Sequence, residues 1–234
     1  MRRGGRYRSD NRTADRACQP ANSTPERNPN HQHDATPRAD HAPGLVIRGP
    51  LPSLRLKDYR LIAFDMDSTL INIECVDEIA DAAGRKAEVA AITEAAMRGE
   101  ISDYKESLRR RVALLEGVGV EHLEHVWRER LQLNPGAESL VQACQRAGLR
   151  TLLVSGGFTF FTDRIRDRLQ LDDTRSNVLE IRDGRLTGRL IDQAWGDICD
   201  GEEKRRMLLQ TCERLQIAPA QSIAMGDGAN DLPM

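Results

Sequence analysis

Two aspartates one residue apart, Asp65 and Asp67, follow the apolar run Leu61-Ile62-Ala63-Phe64 and precede Ser68-Thr69-Leu70. Side chains two apart on an extended chain point the same way. Both carboxyls can therefore enter one site while Met66 points away. A carboxylate, with a reference pKa of about 3.9, is ionised at neutral pH and can attack phosphorus without a separate base. A phosphate monoester carries about −1.5 to −2 charges, so the attack needs neutralisation and positioning. Mg²⁺ suits that need: it is a hard cation held by one or two carboxylates plus phosphate oxygens and water. Asp65 and Asp227 are the candidate ligands, and Asp231, four residues on, reaches the same region or orients a water. Asp67 suits the proton work. A leaving alkoxide needs a proton and an attacking water must lose one, and a single carboxyl can serve both in turn. Like charge beside it should raise its pKa. Taken alone, the stretch also fits a plain surface turn after a strand.

Other residues bear on the choice. Ser155-Gly156-Gly157 follows a second apolar run, and glycine lets backbone N–H groups approach an anion closely; a simple strand-to-helix turn has the same composition. Lys204 lies on the apolar stripe of Leu208, Cys212 and Leu215, whereas Arg205 and Arg206 do not. Such a lysine either snorkels or holds a phosphate, and two anionic strand ends favour the phosphate. Arg111 falls, at about 100° per residue, within the stripe of Tyr104, Leu108, Val112 and Leu115. Its guanidinium is a snorkelling edge group or, as preferred here, a ligand for an anion. The acidic turn from Asp227 to Asp231 fails the EF-hand pattern, because Ala229 stands where an oxygen ligand is required.

The elements that must position these groups alternate. Leu61–Phe64, Arg150–Val154 and Ser222–Met225 read as buried strands, with helices between them, so a parallel α/β sheet is expected. All three motif loops then fall on one sheet edge. Residues 73–133 read as an inserted helical cap: helices over 74–83 and 86–98, a third with Ser102 as its N-cap, and a fourth through Leu123, Val126, Trp127 and Leu131. The core comprises 46–72 and 134–234. Asp183-Gly184, between Val178–Ile181 and Arg185-Leu186, signals a hairpin.

The 234 residues fit one domain with an insertion, and the net charge of −2 gives no field favouring nucleic acid or a membrane surface. No apolar run approaches the roughly 18 residues of a span, and the N-terminus lacks the apolar stretch of a secretory signal. The five cysteines are scattered without CxxC spacing, which points to buried thiols in a reducing cytosol. Residues 1–45 are rich in Pro, Arg, Asn and Asp and poor in aliphatics, so a disordered tail is expected. His31 and His33 are read as part of that solvated tail rather than a metal site.

Taken in order, Asp65-Met66-Asp67-Ser68-Thr69, Ser155-Gly156-Gly157, Lys204 and Gly226-Asp227-Gly228-Ala229-Asn230-Asp231 resemble the four motifs of the haloacid-dehalogenase superfamily. The stretches 73–80, 107–115 and 154–158 are similar to its branch acting on O-phosphoserine. The resemblance covers residues 57 to 234. It implies a Rossmann-like parallel-sheet core with a small helical cap, and hydrolysis of O-phosphoserine through phospho-Asp65, the last step of serine biosynthesis. It implies Mg²⁺ on Asp65, the Asp67 carbonyl and Asp227, with Asn230 and Asp231 in support. Ser155, Gly156 and Lys204 would bind phosphate. Glu74 and Arg111 would take the substrate's amino and carboxylate groups, and Met97 and Tyr104 would shield the site. Two departures are noted. Residues 1–45 lack the pattern of the ACT-type regulatory domain found in long members. Members also continue past the last motif with another helix and strand, so a C-terminally truncated chain is expected. A relative acting on another small phosphomonoester, a phosphotransferase, or an inactive fragment are the other readings.

Overall fold

In the computed structural model, which describes residues 55–234 apart from Gly99 and the side chains of Ala96 and Met97, the first apolar run is strand β1 (Leu61–Phe64). Every residue of β1 is buried because each face is covered. Ile62 and Phe64 join a large cluster with Leu153, Val141 and Phe161. Leu61 and Ala63 meet Leu152, Val154, Met207 and Leu208 on the opposite side. This is the two-sided burial that a central parallel strand requires.

After β1 come helices α1 (Cys75–Ala82), α2 (Lys86–Met97), α3 (Tyr104–Ala113) and α4 (Val120–His125). Asp103, not Ser102, caps α3: its side chain accepts the N–H of Lys105 at 2.9 Å. The fourth helix does not run on as expected. It widens into a π-turn at Val126–Arg130, which keeps Val126 buried and delivers Arg130 to Glu78 of α1 at 2.7 Å.

The chain then returns through α5 (Ala137–Arg146), β2 (Arg150–Phe158), α6 (Thr159–Leu169), β3 (Asp173–Arg182), β4 (Arg185–Ile191), α7 (Gly201–Leu215) and β5 (Ser222–Met225). The strand order is β4-β3-β2-β1-β5. β1 is parallel to both β2 and β5, with Leu61 level with Arg150 and Ser222, so the ends of these strands share one edge. β3 is parallel to β2, and β4 pairs with β3 as an antiparallel hairpin. At its turn Asp183 and Gly184 both take left-handed φ, 49° and 74°, the two-residue geometry that matches strand twist.

Ser155-Gly156-Gly157 is not a turn. The backbone stays extended to Phe158, with a register irregularity against β3 between Val154 and Phe158. The strand therefore overshoots the end of β1 and carries these three residues past Asp65.

The α1–α4 segment leaves and rejoins the sheet through a short stem. Asn72 N–H donates to the Gln132 carbonyl at 3.0 Å, and Asn134 N–H donates to that of Leu70 at 2.9 Å. The Asn134 side chain also donates to the carbonyls of Thr69 at 2.9 Å and Ile71 at 3.0 Å. Among the described residues no helix is long and apolar enough to cross a membrane. The expected disordered tail over 1–45, with His31 and His33, lies outside the described residues.

Asn134 ties down the loop that follows the two aspartates. Asn134→Ala leaves those carbonyls without their donor, and the unfolding free energy from urea titration should fall by about 1–3 kcal/mol.

Candidate active site

Asp65 begins where β1 ends, its N–H donating to the Met225 carbonyl of β5 at 2.9 Å. Its carboxylate is 2.9 Å from Lys204 Nζ, which also donates to Asp231 Oδ1 at 2.6 Å. Lys204 sits in the first turns of α7, and its side chain has no exposure to solvent. Burial alone would lower its pKa, but the two carboxylates outweigh that and hold it above the ordinary lysine value. Burial likewise raises Asp65, against the opposing pull of Lys204.

Asp231 lies in the single turn Ala229–Asp231 after β5, and its second oxygen accepts the Gly228 N–H at 3.0 Å. Asp227 accepts the Thr69 hydroxyl at 3.2 Å. One oxygen from each of Asp65, Asp227 and Asp231 falls within a 4.8 Å cluster. Three carboxylates this close form a hard, all-oxygen donor set that fits a small divalent cation.

Asp67 shares the face of Asp65, as the period of two requires. Its Oδ2 accepts the N–H of Cys75 at 3.0 Å, at the start of α1, while Oδ1 is buried without a partner. Its pKa is pushed up to about 8. Burial is the main cause and the Glu74 carboxylate the next, with Asp65 contributing less. The expected rise is present, but desolvation rather than the neighbouring aspartate dominates it.

Around these acids lies a cavity of about 120 Å³, whose walls include Asp65, Asp67, Glu74, Tyr104, Arg111 and Ser155. Gly156, Asp227 and Asn230 also line it. Glu74 stands at the N-terminal boundary of α1, and its carboxylate accepts the Ser68 hydroxyl at 2.6 Å rather than capping the helix. Ser68 reaches it from a left-handed φ of 54°. Arg111 comes from α3, and its Nε is buried with no partner. Tyr104, at the start of the same helix, is held neutral by burial. A Cβ on Gly156 would stand 2.0 Å from the Tyr104 hydroxyl, so α3 and β2 meet only because that residue is glycine. The Ser155 hydroxyl accepts the Gly157 N–H at 2.9 Å.

The structure therefore brings together Asp65, Asp67, Glu74, Tyr104, Arg111, Ser155, Gly156, Asp227 and Asn230, with Lys204 and Asp231 directly behind Asp65. The Met97 side chain lies outside the described residues. Lys204 pairs with two aspartates rather than standing alone toward the cavity. Asn177 was not singled out from the sequence. It is buried in β3, donates to the Gly156 carbonyl at 2.7 Å and accepts the Cys199 N–H at 2.8 Å, bracing the Gly156 backbone. An asparagine inside a strand is disfavoured by propensity, and that was its signal.

A profile of the family described as haloacid dehalogenase-like hydrolase matches residues 62–234. A phosphoserine phosphatase of Polaromonas sp. (strain JS666 / ATCC BAA-500) is 76% identical over 193 residues, 82% of this chain and 82% of the relative. A phosphoserine phosphatase of Albidiferax ferrireducens is 72% identical over 193 residues, covering 82% of this chain and 81% of the relative. Among solved structures, a phospho-aspartyl intermediate analogue of phosphoserine phosphatase matches with a TM-score of 0.68 at 37% identity, over 75% of this chain and 81% of that one. A substrate-bound phosphoserine phosphatase complex matches with a TM-score of 0.68 at 36% identity, over 75% and 81%.

Removing one partner of a buried ion pair leaves the other charge unpaired in low dielectric. Lys204→Met should cost about 3–5 kcal/mol in urea unfolding measured in EDTA, and adding Asp231→Asn should recover part of it. A loss under about 1 kcal/mol, the value of an exposed pair, would show that water screens the cluster.

Proposed function

The chain belongs to the haloacid dehalogenase-like hydrolases, and on that premise we propose that it hydrolyses O-phospho-L-serine to L-serine and phosphate. The observation that carries the reading is the pairing of opposite charges in one small cavity. Glu74 and Arg111 stand beside the aspartates, and the Arg111 Nε is a buried donor with no acceptor. A substrate with an ammonium and a carboxylate next to its phosphate ester supplies both missing partners.

In this reading Asp65 attacks phosphorus, forming an aspartyl-phosphate as the bond to the serine oxygen breaks. Asp67, with its pKa near 8, is protonated at neutral pH and gives its proton to the departing oxygen. The resulting carboxylate then takes a proton from the water that attacks phospho-Asp65, which releases phosphate and restores both acids. Ser155, the Gly156 N–H and Lys204 bind the phosphate oxygens. Asp65, Asp227 and the Asp67 carbonyl would hold Mg²⁺, with Asn230 and Asp231 in support; the ion, when bound, offsets phosphate charge. The α1–α4 segment, within 73–133, acts as a cap over the 46–72 and 134–234 core. Tyr104 closes the cavity on the cap side, so that proton transfers occur away from bulk water. The described cysteines, Cys75, Cys144, Cys199 and Cys212, are all free and buried, which suits a cytosolic enzyme.

Asp65→Asn should abolish phosphate release. Arg111→Ala should lower kcat/KM for O-phosphoserine about 10²-fold, the loss expected for one partner of a buried charge pair, and change an aryl phosphate far less. Equal losses on the two substrates would remove the carboxylate-binding role from Arg111.

EDTA should stop turnover and Mg²⁺ should restore it. Turnover that persists after exhaustive chelation would reject the metal assignment.

A further inference from the structure

Helix α3 carries two side chains into the catalytic cavity and two others away from it. Tyr104 and Arg111 line the cavity. Lys105 and Arg109, one turn apart, reach instead to the segment between β4 and α7. Lys105 Nζ is 2.7 Å from Asp197 Oδ1, and Arg109 pairs with Asp197 Oδ2. Lys105 is also 3.6 Å from Asp200 Oδ2.

The segment that receives these cations is itself tied to the phosphate side of the site. Asp200 accepts the Glu203 N–H at 2.9 Å and so starts α7, the helix of Lys204. Cys199 N–H donates to Asn177, which holds the Gly156 carbonyl. α3 packs against β4 at its C-terminal end, where a Cβ on Gly188 would stand 3.0 Å from the Ala113 carbonyl oxygen, while toward Asp197 a cavity of about 480 Å³ opens beside it, with Arg109, Val112, Leu190 and Ile198 among its walls. On the side that faces Asp197 the ion pairs therefore supply what close packing supplies at the β4 end.

We propose that Asp197 is a positioning residue for substrate recognition: by clasping Lys105 and Arg109 it holds α3 where Arg111 can meet the substrate's carboxylate. This rests on the role given to Arg111 above. The Asp197 side chain is 36% exposed, Lys105 31% and Arg109 49%, so water and salt reach the clasp and screen it.

The test compares wild type with Asp197→Asn, Asp197→Glu and a charge-swapped variant combining Asp197→Lys, Lys105→Glu and Arg109→Glu. Kinetics with O-phosphoserine and with p-nitrophenyl phosphate are read in Mg²⁺, alongside amide exchange across Tyr104–Ala113. Asp197→Asn should raise the O-phosphoserine KM about fivefold, the factor two half-exposed ion pairs supply. Its kcat and the aryl-phosphate KM should stay at wild-type values. The charge swap and Asp197→Glu should restore the KM, and added NaCl should raise it in wild type more than in Asp197→Asn. Exchange in α3 should quicken in Asp197→Asn while exchange in α6 is unchanged. An unchanged O-phosphoserine KM, or equal changes on both substrates, overturns the proposal. A wild type that does not prefer O-phosphoserine overturns the reading of Arg111 instead. The exchange measurement then decides the clasp by itself, and unaltered α3 exchange rejects it.

Discussion

A lysine with no solvent exposure, set between two aspartates, is the contact on which the site depends. Ionised, the three clustered carboxylates of Asp65, Asp227 and Asp231 would repel one another strongly in a low-dielectric interior. Lys204 offsets one of those charges, and the two that remain equal the charge of one divalent cation. A divalent cation held there would bring the cluster to neutrality. In the proposed reaction a phosphate would meet the Lys204 ammonium and the Gly156 N–H, beside an Asp67 carboxyl whose pKa burial pushes up to about 8.

That balance has to be assembled from distant parts of the chain, and the sheet does this cheaply in conformational terms. β1, β2 and β5 run parallel and in register, so Asp65, Ser155 and Asp227 arrive at one edge without long loops. Thr69 reaches across to Asp227, joining the first strand's loop to the last. The opposite wall comes from α1 and α3, which enter through the short stem at Leu70–Asn72 and Gln132–Asn134. The approach of those helices to the sheet edge is set by contacts beyond the stem: Tyr104 against Gly156, the Gly117 N–H on the Leu186 carbonyl of β4 at 2.8 Å, and the ion pairs of Asp197.

The parts of this arrangement visible in the sequence are those with a strong local signature. β1 is visible because a strand covered on both faces is apolar without interruption. Arg111 is visible because helical spacing places it, and neither Arg109 nor Arg110, on the buried stripe. The Asp183-Gly184 turn is visible because two left-handed residues in succession demand such a pair. What the sequence conceals depends on tertiary contact. The continuation of β2 through Ser155-Gly156-Gly157 looked like a turn, because glycines punctuate chains far more often than they extend strands. Here Tyr104 packs where a side chain on Gly156 would lie, and Met66 where one on Gly157 would. The π-turn at Val126–Arg130 has no local pattern and follows from Arg130 reaching α1. The partnership of Lys204 with Asp231, across 27 positions, is equally silent in any short window.

Asp67 shows how such contacts tune chemistry. Its acid form is favoured by burial and by Glu74, and its ionised form by the Cys75 N–H at the head of α1. An acid that must give a proton and then recover one works best when neither form is held tightly. One oxygen is anchored by the backbone and keeps the carboxyl oriented. The other is buried and unpartnered, and the proposed proton transfer would run through it. Burial deep enough to raise the pKa to about 8, joined to a single fixed N–H donor, gives one residue both properties. Glu74 then has a second consequence beyond any contact with a ligand. A cation bound against it would weaken its repulsion of the Asp67 carboxylate, easing ionisation of Asp67 as its proton is passed on.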